Sequence, residues 1–274
     1  MIKKYKPTSA GLRTRKTLIR DVADVRPEKS LISPLKGSSG RNNGRVSSRH
    51  KQRGAKKFYR IIDFKRDKME ITAKVKQIEY DPNRGVNIAL LFYVDGEKRY
   101  ILAPEGLKAE DVVKSGDKVE ATLGNALRLE NIPLGHFVHN VELNPGSGGV
   151  IARGAGNSAQ LIAKEGEYVN LKLPSGEVKK IHGKCMATIG VLGNEGIRNQ
   201  RLGKAGLKRH LGNRPHVRGV AMANPTDHPH AGSYRDNGIG MSSPKSPWGW
   251  NTRGVKTRKR KHTQFTIIKD RRKK

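Results

Sequence analysis

Residues 86–102 read VNIALLFYVDGEKRYIL, and this stretch decides the fold class. Residues 86–94 are almost wholly apolar, which is typical of a strand buried on both faces. Asp95 and Gly96 follow, and an Asp-Gly pair between two strands favours a tight hairpin turn. The residues from Lys98 to Leu102 then supply the returning strand. A buried hairpin at this position predicts a mainly β protein.

Further strands are predicted on both sides of the hairpin. Ile71 to Lys76 alternates apolar with polar residues, and residues 118–123 resemble another strand. These segments predict a small barrel of the oligonucleotide-binding (OB) type. After a boundary near residues 124–133, a second compact barrel is predicted, with a tight turn at Pro174-Ser175-Gly176. Its strands are expected at residues 136–143, 160–164, 168–173, 177–182 and 186–192.

The charge of the chain is concentrated at its two ends. The 274 residues carry a net charge of +32. Residues 1–60 hold 18 Lys and Arg against 3 Asp and Glu, and residues 201–274 hold 19 against 3. Residues 61–200 are nearly neutral, with 19 against 18. Because the positive charges of each end repel one another, we expect both ends to bind a polyanion that neutralises them. Nucleic acid is such a polyanion. We therefore predict a basic extended arm at 1–60, barrels at 61–125 and 126–200, and a basic extension at 201–274.

Several other classes of protein fit the sequence poorly. No run approaches the ~20 apolar residues of a membrane span, so no membrane partner is expected. The residues Met1 to Pro7 lack the apolar core of a signal peptide. Cys185 is the only cysteine, and its spacing from His182 is not repeated elsewhere. We therefore expect no disulfide and no metal site, and we interpret Cys185 as buried or inert.

The segment Asp227-His228-Pro229-His230 is the only candidate for catalysis. An Asp beside a His suggests a base with its orienting carboxylate. However, adjacent residues on an extended strand point to opposite faces, and no Ser or Cys nucleophile motif lies nearby. We interpret the segment as a polar RNA-contacting loop. A hydrolase or acyl transferase that uses His228 is one alternative, and a general nucleic-acid packing protein is another.

A series of motifs carries a resemblance to a known family. The chain resembles bacterial-type large-subunit ribosomal protein two over essentially its full length. The motifs that carry the resemblance are Lys6-Pro7-Thr8-Ser9, Arg41-Asn42-Asn43-Gly44-Arg45, Tyr59-Arg60-Ile61-Ile62-Asp63-Phe64-Lys65-Arg66, Tyr80-Asp81-Pro82-Asn83-Arg84, Ile101-Leu102-Ala103-Pro104, Pro215-His216-Val217-Arg218-Gly219, Asn224-Pro225-Thr226-Asp227-His228-Pro229-His230 and Pro247-Trp248-Gly249.

The resemblance implies a structural, rRNA-binding protein of the large ribosomal subunit. It implies an OB-type barrel, an SH3-like barrel and termini threaded into rRNA, with support for subunit association, tRNA binding and the peptidyl-transferase region. The implied partners are large-subunit rRNA, small-subunit rRNA and neighbouring ribosomal proteins, on a cytoplasmic or organelle ribosome. We expect neither a homo-oligomer nor enzymatic activity. We also expect no cofactor apart from Mg²⁺ or K⁺ ions of the rRNA.

The resemblance also implies which residues contact rRNA. Arg84 and Arg153 match the family's rRNA-binding arginines, and His228 matches a histidine of disputed function. The full set of expected rRNA contacts is Arg41, Asn42, Asn43, Arg45, Arg49, His50, Arg60, Lys65, Arg66, Arg84, Arg153, Lys204, Arg214, Arg218, Asn224, Asp227, His228, His230, Trp248, Lys256 and Arg258.

The chain departs from the family pattern near these contacts. Ala223 stands as an extra residue between Met222 and Asn224, and the glycine run expected after His230 reads AGSYR at residues 231–235. Because glycines permit close approach of the backbone, we expect the local path beside RNA to differ here.

Overall fold

A computed structural model describes residues 1–35, 37, 39–232 and 241–271. In these residues the protein is mainly β, as predicted. The strands are β1 Ile2–Lys4, β2 Lys16–Leu18, β3 Ile32–Pro34, β4 Arg41–Asn42, β5 Arg45–Val46, β6 Phe58–Arg60, β7 Ala73–Glu79, β8 Ile88–Tyr93, β9 Lys98–Leu102, β10 Val112–Val113, β11 Ala126–Arg128, β12 Phe137–His139, β13 Val141–Glu142, β14 Gly149–Ile151, β15 Ala159–Glu165, β16 Tyr168–Lys172, β17 Val178–His182, β18 Met186–Ile189 and β19 Ile267–Lys269.

Helices are few and short. The α-helices are α1 Ala10–Arg13 and α2 Ala205–His210, and the 3-10 helices are Lys29–Leu31, Leu129–Asn131, Glu195–Asn199 and Gly219–Ala221. Among the described residues, none of these helices has the length and apolar character needed to cross a bilayer. The chain divides into two units, one from residues 1–36, 56–205 and 263–274, the other from residues 37–55 and 206–262.

The first unit contains a four-stranded antiparallel sheet in the order β10-β7-β8-β9. The predicted hairpin is confirmed, with Phe92 opposite Lys98 and a left-handed Gly96 at the turn. The central strand β8 is buried on both faces as predicted. Ala89 and Leu91 pack into one core cluster, whereas Ile88 and Leu90 pack into another on the opposite face. Strand β8 is therefore packed on both faces from Ile88 to Leu91, whereas Phe92 near its end is 37% exposed.

The predicted strand at residues 118–123 is wrong. This segment belongs to no strand, and the sheet edge is formed by β10 instead. Val119 and Ala121 pack against the apolar core of the second sheet, which explains the alternating pattern. The alternating pattern correctly indicated which side chains pack against the core, but it could not indicate whether the backbone pairs with another strand.

The second sheet of this unit has seven strands in the order β11-β18-β12-β15-β16-β17-β19. Its apolar residues form one core around Leu161, Leu171 and Ile181. The expected turn at Pro174-Ser175-Gly176 is confirmed, since the Gly176 N–H donates to the Leu173 carbonyl at 2.9 Å. Together with the first sheet, this arrangement is consistent with the predicted OB-like and SH3-like barrels.

The predicted strand at residues 136–143 is interrupted. Asn140 has a left-handed φ of 52°, so the chain forms the separate strands β12 and β13. The expectation for Cys185 is confirmed, because this free thiol is fully buried in the core. Burial raises the pKa of the Cys185 thiol to about 11.

The second unit brings parts of the two basic ends of the chain together. The Ala55 N–H donates to the His210 carbonyl at 2.8 Å, and the Arg214 N–H donates to the His50 carbonyl at 3.0 Å. Strands β4 and β5 form a hairpin whose turn residues Asn43 and Gly44 both have positive φ. The limits predicted for arms and barrels stay predictions, but residues 37–55 and 206–262 pack with each other.

Candidate nucleic-acid interface

The Arg84 side chain is fixed by the turn that precedes it. Asp81 is fully buried, and its carboxylate accepts hydrogen bonds from the Asn83 N–H at 2.8 Å and the Arg84 guanidinium at 2.6 Å. The other guanidinium nitrogen of Arg84 donates to the Tyr59 hydroxyl at 2.9 Å. With about a fifth of its side chain exposed, Arg84 is held in one direction at the surface.

Arg84 and Arg153 converge on the ring of Phe64. The guanidinium carbon of Arg153 lies 4.6 Å from the centre of this ring, and that of Arg84 lies 5.7 Å away. Arg84 also lies 5.0 Å from the Tyr59 ring. Both distances to Phe64 fall within the range of cation–π attraction. We call these three residues the Arg84–Phe64–Arg153 cluster. It joins two arginines that the sequence places in different barrels.

The backbone of Phe64 is held in place by residues of the second sheet region. Its carbonyl accepts hydrogen bonds from the Gly149 N–H at 2.8 Å and from the Asn140 side chain at 3.2 Å. A Cβ atom at Gly149 would lie 2.1 Å from Oδ1 of Asn140, so only glycine fits here. Arg153 follows Ala152, which has a left-handed φ of 54°. The cluster is therefore built on a fixed backbone.

A cleft of about 450 Å³ lies beside the cluster, and the cationic side chains that line it are not equally free to bind an external anion. Arg99 contacts three carboxylates, those of Asp63, Asp67 and Glu97. Burial lowers the pKa of Arg99, but hydrogen bonds to these carboxylates outweigh that effect and raise it. Arg153 is exposed and has no such acidic partner among the described residues. Lys65 also lines the cleft and is exposed, so Arg153 and Lys65 are the cations that remain available to an external anion.

Most of the other predicted contact residues lie at the surface. His50 is half-buried. Those with exposed side chains, besides Arg153, are Arg41, Asn42, Asn43, Arg45, Arg49, Lys65, Lys204, Arg214, Arg218, Asn224, Asp227, Trp248, Lys256 and Arg258.

Two of the predicted arginines point into the protein. Arg66 is 3% exposed and lies near the carbonyls of Lys114 and Gly124, and burial lowers the pKa of its guanidinium. Arg60 is 9% exposed and donates to the Phe58 carbonyl at 2.9 Å. Neither presents a guanidinium to solvent, which argues against direct contact with RNA in this conformation.

His228 and His230 are buried next to each other in the second unit. The His230 N–H donates to Nδ1 of His228 at 3.1 Å, and the Lys245 N–H donates to Nε2 of His230 at 2.7 Å. The neighbouring Asp227 is exposed, and no hydrogen bond joins it to His228 among the described residues. One imidazole nitrogen of each histidine thus accepts a backbone N–H, and the base–carboxylate pair that catalysis would need is not formed between Asp227 and His228.

Three aromatic residues beside the predicted contacts are not among the contacts that the sequence predicts. Phe64 and Tyr59 lie within one of the family motifs and contact Arg84. Trp250 lies two residues after Trp248 and is 74% exposed. Their aromatic character beside Arg-rich segments was the available signal, since aromatic rings and arginines together are typical of RNA-binding surfaces. For residues 233–235, the departure from the family pattern lies outside the described residues.

Comparison with protein families agrees with the resemblance found in the sequence. Residues 28–115 match the family described as Ribosomal Proteins L2, RNA binding N-terminal domain. Residues 122–249 match the family described as Ribosomal Proteins L2, C-terminal domain. The first match contains Arg84 and Phe64, and the second contains Arg153. The two matches occur in order and cover most of the chain, which therefore belongs to the ribosomal protein L2 family, a family of structural RNA-binding proteins of the large ribosomal subunit.

Proposed function

We propose that the Arg84–Phe64–Arg153 cluster is a docking site for large-subunit rRNA. The observation that carries the proposal is the convergence of two arginines from different family domains on one aromatic ring. A guanidinium can bind a phosphate through two parallel hydrogen bonds or stack on a base. Two guanidinium groups around a ring fixed by backbone hydrogen bonds suit both kinds of contact.

The cluster is already organised before RNA binds. Asp81 and Tyr59 orient Arg84, so this side chain loses little conformational freedom on binding. Arg153 supplies the more exposed of the two cations. Because the cluster is small and has few groups that would read base edges, we expect specificity to come from RNA shape and 2′-hydroxyl contacts.

The second unit extends the contact with RNA over a larger surface. Residues 37–55 and 206–262 hold 17 Lys and Arg against 2 Asp and Glu. Exposed arginines at Arg41 and Arg45 flank the hairpin turn of β4 and β5. Such a surface gives a strong, salt-sensitive contribution to RNA affinity. Its charge supports the proposed set of rRNA contacts in both basic segments.

The wider role of the protein is proposed from its family. Contact with small-subunit rRNA and neighbouring ribosomal proteins would support subunit association, tRNA binding and the peptidyl-transferase region. The role is structural, and the arrangement of His228 and His230 supports this because one imidazole nitrogen of each accepts a backbone N–H and the exposed Asp227 does not pair with His228. No cofactor is required beyond Mg²⁺ or K⁺ ions held by the rRNA. The proposed location is the cytoplasmic ribosome, with an organelle ribosome as the alternative.

A competition experiment tests the rRNA specificity of the full chain. Folded large-subunit rRNA, bulk tRNA and duplex DNA compete for the protein over a salt titration. A preference for rRNA that persists at high salt supports docking at a shaped site. Equal affinity for every polyanion, lost together as salt rises, would favour the general packing protein instead.

A further inference from the structure

A short loop in the second unit exposes both tryptophans of the chain. Trp248 is 72% exposed and Trp250 is 74% exposed, whereas tryptophan is ordinarily among the more buried residues. The chain contains only these two tryptophans. Exposing two large apolar rings within three residues is unfavourable in water, so their exposure calls for a ligand that covers them.

Hydrogen bonds within the loop hold the two tryptophans on a defined segment. The Ser246 N–H donates to the Trp250 carbonyl at 2.8 Å, and the Trp250 N–H donates back to the Ser246 hydroxyl at 3.2 Å. The Thr252 N–H donates to the Pro244 carbonyl at 2.9 Å. These hydrogen bonds close a narrow loop over residues 244–252.

The buried histidine pair anchors this loop. The hydrogen bond from the Lys245 N–H to Nε2 of His230 ties the beginning of the loop to a side chain that is 9% exposed. His230 in turn donates its backbone N–H to His228. The histidines therefore act as positioning residues for the loop that carries Trp248 and Trp250.

The charge around the loop indicates the class of ligand. The unit carries 17 Lys and Arg against 2 Asp and Glu, so an anionic partner is favoured. The Arg49 guanidinium lies 4.8 Å from the centre of the Trp248 ring, which places a cation beside an aromatic surface. Aromatic rings within a basic surface are the combination that binds unpaired nucleotides, because rings stack on bases while cations bind phosphates.

We propose that Trp248 and Trp250 form a stacking site for unpaired RNA bases. The site is separate from the Arg84–Phe64–Arg153 cluster and reads a different feature of RNA, namely single-stranded nucleotides. The inference rests on the RNA-binding function proposed above. Base stacking on an aromatic side chain is worth about 1–3 kcal/mol per base, so loss of one tryptophan should weaken binding roughly 5- to 150-fold.

Tryptophan fluorescence of the full chain tests the site directly. The Trp248→Phe variant leaves Trp250 as the only indole, and Trp250→Phe leaves Trp248. A single-stranded oligoribonucleotide of adenosines should quench both variants, whereas inorganic polyphosphate of equal charge should not. Vesicles of phosphatidylglycerol serve as the membrane alternative. Absence of quenching by the oligoribonucleotide, equal quenching by polyphosphate, or a response to vesicles alone would overturn the proposal.

Affinity measurements complete the test. Trp250→Ala should weaken binding of the oligoribonucleotide by the factor given above, while Phe265→Ala, which removes another ring that is 78% exposed, should leave affinity unchanged. Equal effects of the two substitutions would contradict a specific site. Failure of the Arg84–Phe64–Arg153 cluster is distinguishable, because Arg153→Ala retains both indoles. Unchanged rRNA affinity of Arg153→Ala together with normal quenching would count against the cluster alone.

Discussion

Replacing Arg84 and Arg153 by alanine should have very different effects on the stability of the fold. Arg84→Ala removes the cationic partner of the fully buried Asp81 carboxylate and a hydrogen bond to the Tyr59 hydroxyl. Arg153→Ala removes an exposed side chain whose described ring contact is to Phe64 at 4.6 Å. The two substitutions make the same change in charge, so their difference reports the contacts of Arg84 with Asp81 and Tyr59.

The contacts of the two arginines set how much each substitution should lower the free energy of unfolding. A hydrogen bond to a charged group contributes about 1.5–3 kcal/mol, and an unpaired buried charge costs up to about 3–5 kcal/mol. Water can enter where Arg84 is partly exposed, and the Asn83 N–H still binds Asp81, so we expect about 2 kcal/mol for Arg84→Ala. A cation–π contact at an exposed site contributes about 0.5–1 kcal/mol, which is the expected cost of Arg153→Ala.

Thermal and urea unfolding of the full chain measure these changes. Arg84→Ala should lower Tm by about 4–8 °C, and Arg153→Ala by no more than about 4 °C. In the Arg84→Ala background, Asp81→Asn removes the unpaired charge and should recover about 1 kcal/mol. Equal Tm values for the two arginine variants, or no recovery by Asp81→Asn, would refute the argument that Asp81 depends on Arg84.

Other parts of the structure give three further predictions. Burial lowers the pKa of His139 from 6.5 to about 4. The free energy of unfolding should therefore fall by about 3 kcal/mol as the pH drops from 6.5 toward 4, because the unfolded chain takes up a proton that the buried imidazole does not. Urea titrations of His139→Asn should lack this loss, and the same pH dependence in wild type and variant would contradict the prediction. Gly149→Ala should destabilise the fold by about 1–3 kcal/mol, because the added methyl group clashes with Asn140. Gly206→Ala is the control, since its methyl group would enter open space. Similar urea unfolding midpoints for the two variants would count against the clash. The Cys185 thiol should resist a disulfide reagent at pH 8 until the protein is unfolded, and fast labelling of the native chain would show that it is accessible.

Local patterns predicted the parts of the fold that depend on local physics. The hairpin from β8 to β9 followed from an apolar run, an Asp-Gly turn and a returning strand, and each signal lies within a few residues of the others. The segment around Val119 and Ala121 shows the limit of this reasoning. Its alternation reflects contact with a core formed by distant residues, and no feature of the sequence tells whether a backbone partner is present.

The candidate site depended on long-range contacts that periodicity does not report. Arg84 and Arg153 were singled out through resemblance to a family, but their meeting at Phe64 required the fold. Arg66 shows the reverse case, because its sequence surroundings suggested an RNA contact while the fold buries its guanidinium. The pairing of residues 37–55 with residues 206–262 uses backbone groups that every sequence possesses, so the charge pattern did not predict it.

The affinity of the Arg153→Ala variant for folded large-subunit rRNA tests the central claim most directly. Arg128→Ala is the matched control, since it removes the same charge from a partly exposed arginine that is paired with Asp117. We expect Arg153→Ala to weaken rRNA binding by about tenfold or more at physiological salt, with Arg128→Ala close to wild type. Equal affinities of the two variants would contradict the docking of rRNA on the Arg84–Phe64–Arg153 cluster.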